Sequence, residues 1–138
     1  MRTIKFRGFS KEEDQFVYGF LFKDSEYYIV ENNSTINIMY NILVEKDSVG
    51  QFTGLYDING KEIYEGDIVR LKSNIGKVDY SNDYVIIWSD EECSFVLYEE
   101  DSEYYGSKTL TRKLIKDKEL VVIGNFYENQ TTKLAGTR

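Results

Sequence analysis

The chain has 138 residues, enough for a single core, and its 12 Tyr, 8 Phe and one Trp beside many Val and Ile favour strands over helices. With no His, no Pro and one Cys, it lacks the means for zinc sites of Cys and His, His-based triads and intrachain disulfides. The net charge of −7 is uneven: residues 89–107 alone carry −7 and residues 108–118 carry +4, neighbours expected to satisfy each other or solvent.

Met1 to Arg7 lacks the apolar stretch of a signal peptide, and no run approaches the roughly 20 apolar residues of a membrane span. A soluble cytoplasmic protein with no membrane partner is expected. Cys93 follows acidic residues that disfavour its thiolate, so it reads as a buried or half-buried structural cysteine.

In chain order, residues 3–7 alternate, with Ile4 and Phe6 on one face of a short strand and Lys5 and Arg7 on the other. Gly8 to Asp14 reads as a turn. Gln15 to Lys23 is a second strand with Phe16, Tyr18, Phe20 and Phe22 on one side and Val17 and Leu21 on the other, so both faces are expected to be covered. Glu26 to Glu31 makes a third and Ile36 to Val44 a fourth, the latter not separable from a helix by its period.

Val49 to Leu71 is the densest stretch, with Gly50, Gly54, Gly60 and Gly66 among short apolar segments. Asn59-Gly60 suits a two-residue hairpin turn with positive φ at both positions. Asp57 stands where a side chain can accept backbone hydrogen bonds at a turn entry, and Gly66-Asp67 opens the strand Ile68 to Leu71. A meander follows, with turns at Ser73-Asn74 and Ser81-Asn82-Asp83 and strands over Gly76 to Tyr80, Tyr84 to Trp88 and Cys93 to Tyr98. Residues 99–119 form a charged insertion in which Leu110 and Leu114 allow one or two helical turns. Leu120 to Tyr127 returns as a strand that closes a small antiparallel barrel, bent at Gly124, and residues 129–138 read as a flexible tail.

Three blocks, Val49-Gly50-Gln51-Phe52-Thr53-Gly54-Leu55, Ile63-Tyr64-Glu65-Gly66-Asp67-Ile68-Val69 and Val122-Ile123-Gly124-Asn125-Phe126-Tyr127-Glu128-Asn129, together with the opening Ile4-Lys5-Phe6-Arg7, resemble the YopX family of small phage and prophage proteins. Phe52 and Phe9 depart mildly from its pattern, and residues 24–46 and 99–118 match none of it. The resemblance implies a largely β protein with an SH3-like barrel in its carboxy-terminal half, acting in the bacterial cytoplasm, and no settled biochemical function. The expected organisation is therefore a β-rich segment over residues 1–48, the barrel over 49–128 and the tail.

No reaction is legible. Asp57, Glu62, Glu65 and Asp67 fall within eleven residues, yet turn and strand-start roles explain Asp57 and Asp67 better than acid-base work. Asp57 and Asn59 do not open a calcium loop, because Gly60 comes too early and no Glu closes twelve residues. The glycine spacing fits neither dinucleotide nor P-loop fingerprints. No metal and no cofactor is expected. A binding face of Tyr64, Arg70, Lys72, Tyr84 and Trp88 would serve single-stranded nucleic acid by stacking, but the acidic chain disfavours phosphate. Self-assembly or another protein partner, through strand edges that no Pro blunts, is the favoured non-enzymatic reading. An acidic mimic of nucleic acid over Asp90 to Glu103 is a further alternative.

Overall fold

Apolar residues recurring at every second position resolve into eleven strands, with short helical segments between and after them, in the computed structural model, which describes residues 1–33, 38–75, 78–99 and 108–130. The strands are β1 Phe6–Ser10, β2 Gln15–Lys23, β3 Tyr27–Asn33, β4 Ile38–Val44, β5 Gly50–Tyr56, β6 Glu62–Tyr64, β7 Asp67–Ile75, β8 Val78–Ser89, β9 Ser94–Tyr98, β10 Lys108–Thr109 and β11 Val121–Asn125; the helix α1 is Arg112–Asp117. The chain divides into two units, Met1–Gly54 and Leu55–Arg138.

In the first unit the strands lie in the order β4-β3-β2-β1-β5, all antiparallel. The first strand sits three residues later than its alternation suggested, because Gly8, Phe9 and Ser10 pair with Val17, Phe16 and Gln15. Arg7 is accordingly buried rather than solvent-facing, with its guanidinium 4.7 Å from the Phe16 ring centroid. The sheet curls until the end of β4 meets β1. Glu45 N–H donates to Phe9 C=O at 2.9 Å, and the Ser48 hydroxyl accepts from Phe9 N–H at 2.7 Å. Two glycines permit that curl: a Cβ on Gly8 would stand 2.6 Å from Val44 Cγ2, and one on Gly19 2.2 Å from the Val30 carbonyl oxygen. Val17, Ile29 and Val44 form the core, with Phe6, Leu21, Tyr27, Ile42 and Val49 packed around them.

The second unit holds a sheet of order β10-β9-β8-β7-β11. The expected turns at Ser73-Asn74 and Ser81-Asn82-Asp83 are absent: β7 and β8 are long partners, with Leu71 opposite Asn82 and Arg70 opposite Asp83. Continuous pairing across the ladder overrides the local turn preference of Ser, Asn and Asp. The expected closed barrel is not found either. The sheet is open, with β10 and β11 at its two edges and no ladder joining them among the described residues. The final strand ends at Asn125, and residues 126–130 are helical. Asn125 explains the change, because its Oδ1 accepts Glu128 N–H at 2.8 Å while its Nδ2 donates to Glu128 Oε2, a cap that starts a helix.

Ile63, Val69, Leu71, Tyr84, Ile86 and Leu97 are buried in this unit with Leu110, Ile115 and Leu120. The described part of the charged insertion therefore belongs to the core. Thr111 caps α1 by accepting Leu114 N–H, and Leu120 N–H donates back to Ile115 C=O at 3.0 Å. That second bond, with Glu119 at φ 46, is a Schellman ending that sets Leu120 onto Ile115.

Candidate functional site

The residues that the sequence offered as a binding face do not come together. Tyr64 and Tyr84 are buried at 2% and 7% exposure, and Lys108 Nζ lies 5.4 Å from the Tyr84 ring centroid. Side chains alternate across β7, so Val69 and Leu71 enter the core while Arg70 and Lys72 face away from it. Each cation is engaged: Arg70 holds Asp83 through Nε at 2.8 Å and Nη2 at 3.2 Å, and Lys72 Nζ lies 3.3 Å from Glu119 Oε2. The hydrogen bonds and the charge of Asp83 raise the Arg70 pKa above its ordinary value. Trp88 has the same strand parity as Tyr84 but is exposed at the end of β8, packed edge-on against Phe95 and donating to Asp90 Oδ1 at 2.9 Å. Among the described residues, these aromatic rings and cations are thus not combined into one stacking groove.

Turn residues account for the glycine-rich stretch. Gly60 N–H donates to Asp57 C=O at 3.0 Å and Asp57 N–H to Lys61 C=O at 2.7 Å. Only Gly60, at φ 84, has positive φ here, so the loop is a three-residue one instead of the expected two-residue turn. Asp57 is itself buried. Its Oδ1 accepts from Asn59 and Lys61 N–H, both at 2.9 Å, and its Oδ2 accepts Val122 N–H at 3.0 Å. Asp67 accepts Tyr64 N–H at 2.7 Å across the turn that Gly66 makes at φ 93. These carboxylates have structural hydrogen-bond partners. Gly54 has φ 86, and the register of β11 shifts between Val122 and Gly124, which leaves Ile123 as a bulge.

Cys93 is exposed, at φ 51 in the turn before β9, and not buried as expected. Part of the acidic segment, residues 100–107, lies outside the described residues, as does much of the tail. In the rest, Asp90 receives the Trp88 indole and Glu92 accepts from the Thr109 hydroxyl at 3.3 Å. Among the described residues there is no group of three or more His, Cys, Asp or Glu able to hold a metal, and no helix long and apolar enough to cross a membrane.

The surface that remains unexplained is on the first unit. Antiparallel register puts Phe20 beside Val30, Phe22 beside Tyr28, and Tyr28 beside Leu43, all on the face opposite the buried Val17 and Ile29. On it Tyr18, Phe20, Phe22, Met39 and Leu43 are 45%, 59%, 49%, 60% and 52% exposed. The Phe22 and Tyr28 rings sit 6.1 Å apart. The sequence showed the alternation of β2, but it gave no sign that one of the two faces stays open, since periodicity reports parity and not what lies above a sheet.

The chain is similar in fold to a solved protein, EF1440 from Enterococcus faecalis, with a TM-score of 0.56 and 18% identity over 96% of this chain and 99% of that one. At that identity the likeness speaks for fold alone. No curated protein matches the chain. Residues 5–132 match the family model described as YopX protein, which takes in all three blocks and nearly all the rest: the chain belongs to the YopX family.

Proposed function

We propose that this protein is a non-enzymatic interaction module of phage or prophage origin, working in the bacterial cytoplasm, and that its first partner is a second copy of itself. The observation that carries this reading is the open apolar face of β2, β3 and β4. Five large side chains exposed by about half contribute on the order of 500 Å² of apolar surface. That equals the largest patch a monomer usually shows. It also matches the apolar share, about two-thirds, of the roughly 800 Å² that each partner buries in a standard interface. None of these five residues is charged, so two acidic chains can meet there without opposing like charges.

The test is sedimentation velocity over a wide concentration range on the protein and on Phe20→Asp and Phe22→Asp. Self-association that either substitution abolishes, with folding unchanged by circular dichroism, supports the reading. A monomer at every concentration contradicts it.

A further inference from the structure

A second feature of the first unit lies at the outer edge of β4, where it borders the apolar face at Tyr28 and Leu43. We propose that the free edge of β4 takes an extended, basic peptide segment as an added strand.

β4 is the end strand of its sheet, and it meets β1 only at its carboxy-terminal end, where Glu45 donates to Phe9 and Val44 lies over Gly8. β1 stops at Ser10, and Lys11 to Asp14 form a turn outside any strand ladder. From Leu43 back to Met39, therefore, the outer backbone groups of β4 have no ladder partner among the described residues. An edge that carries no charge, no Pro and no bulge is open to strand addition. Only an extended backbone can satisfy it.

The space beside that edge defines the chemistry of the strand. A cleft of about 540 Å³ runs along Tyr40 to Leu43, with Tyr28 and Glu31 of β3 and with Glu12 and Glu13 of the β1–β2 turn. Its lining carries three glutamates and no Lys or Arg. Lys11, the cation nearest in sequence, is turned to Glu45, with Nζ 3.5 Å from Oε1. Tyr40, opposite Glu31 on the same face, adds an aromatic neighbour for an ammonium or guanidinium group. A second copy of this chain fits poorly, because it would bring its own Glu12 and Glu13 toward the same wall. Alternating Lys or Arg with apolar residues suits this edge: backbone for the open groups of β4, cations for the glutamates on the Glu31 and Tyr40 side, apolar side chains for Leu43 on the other.

The probe is a fluorescein-labelled hexapeptide of alternating Lys and Val, followed by anisotropy on the full chain, beside the matching Glu-Val peptide and a Lys-Val peptide N-methylated on alternate residues. The Lys-Val peptide is expected to bind at least about tenfold more tightly than the Glu-Val one, and to weaken with added salt. Combined Glu12→Gln and Glu13→Gln should weaken it about two- to thirtyfold, the sum of two exposed ion pairs. N-methylation, which removes the donors, should abolish binding. Phe20→Asp should leave it unchanged, so that failure of self-association and failure of this site are read separately. Equal binding of Lys-Val and Glu-Val peptides, indifference to methylation or indifference to the double Gln variant would overturn the proposal. So would dimers linked through Tyr40→Cys in a Cys93→Ser background, since Tyr40 lies on the side of β4 away from the apolar face and such dimers would show the edge occupied by a second copy.

Discussion

Asp57 shows how much one side chain organises. Two of its three hydrogen bonds fix the loop it opens, and the third reaches Val122, where β11 begins its pairing with β7. Replacing it by Ala leaves three part-buried N–H groups without this acceptor, and a fully buried one would cost about 1–3 kcal/mol. Asp57→Ala should therefore lower the urea unfolding free energy by about 2–4 kcal/mol, more than any exposed carboxylate. The loop role could be read from the sequence, because Asp at a turn entry accepts N–H groups two to four residues on. The bond to Val122 could not, because no local pattern encodes a contact 65 residues away. The same limit applies to Cys93 and Arg7. Its acidic neighbours made Cys93 a buried or half-buried residue and alternation put Arg7 on the face away from Ile4 and Phe6, whereas a tight turn exposes the first and the second is buried with its guanidinium near the Phe16 ring.

At the level of elements, glycine has opposite meanings in different places. Gly19→Ala would drive a Cβ to 2.2 Å from a backbone carbonyl of the neighbouring strand, which cannot move without breaking the β2–β3 ladder. A loss of about 3 kcal/mol or more is expected by chemical denaturation, at or above the usual cost of overpacking. Glu119 presents the reverse case: a non-glycine residue at φ 46 in the position after the α1 cap where glycine is favoured. Glu119→Gly should raise stability by a few tenths to about 1 kcal/mol, even after losing the exposed ion pair to Lys72, and thermal unfolding would read the sign. Asn125→Ala removes the cap of the last helical turn and should cost about 1 kcal/mol. The span of β2 was legible to the residue because its apolar period is unbroken. β8 was not, because Ser81, Asn82 and Asp83 look like a turn until β7 lies beside them and Arg70 reaches Asp83.

Over the whole chain, the sequence pointed to a mainly antiparallel β protein and to its family, while the arrangement of the sheets came from pairings distant in sequence. β1 bonds β5 and β7 bonds β11, contacts that join segments more than 40 residues apart. The residues named as a binding face are separated for a related reason: strand parity sends Arg70 and Tyr84 to opposite sides of one sheet. What the fold leaves exposed is an apolar face on one unit, and association through it should strengthen with salt, which screens the repulsion between two chains of charge −7.

Cysteine cross-linking tests that association most directly. In a Cys93→Ser background, Tyr18→Cys, Phe20→Cys and Phe22→Cys place single thiols along the open face, and Arg70→Cys places one on the second unit as a control. Mild oxidation followed by non-reducing electrophoresis should give dimers from at least one β2 position, the one nearest the symmetry axis, and none from the control. Dimers from no β2 position, or equal dimer from all four, would contradict pairing through this face.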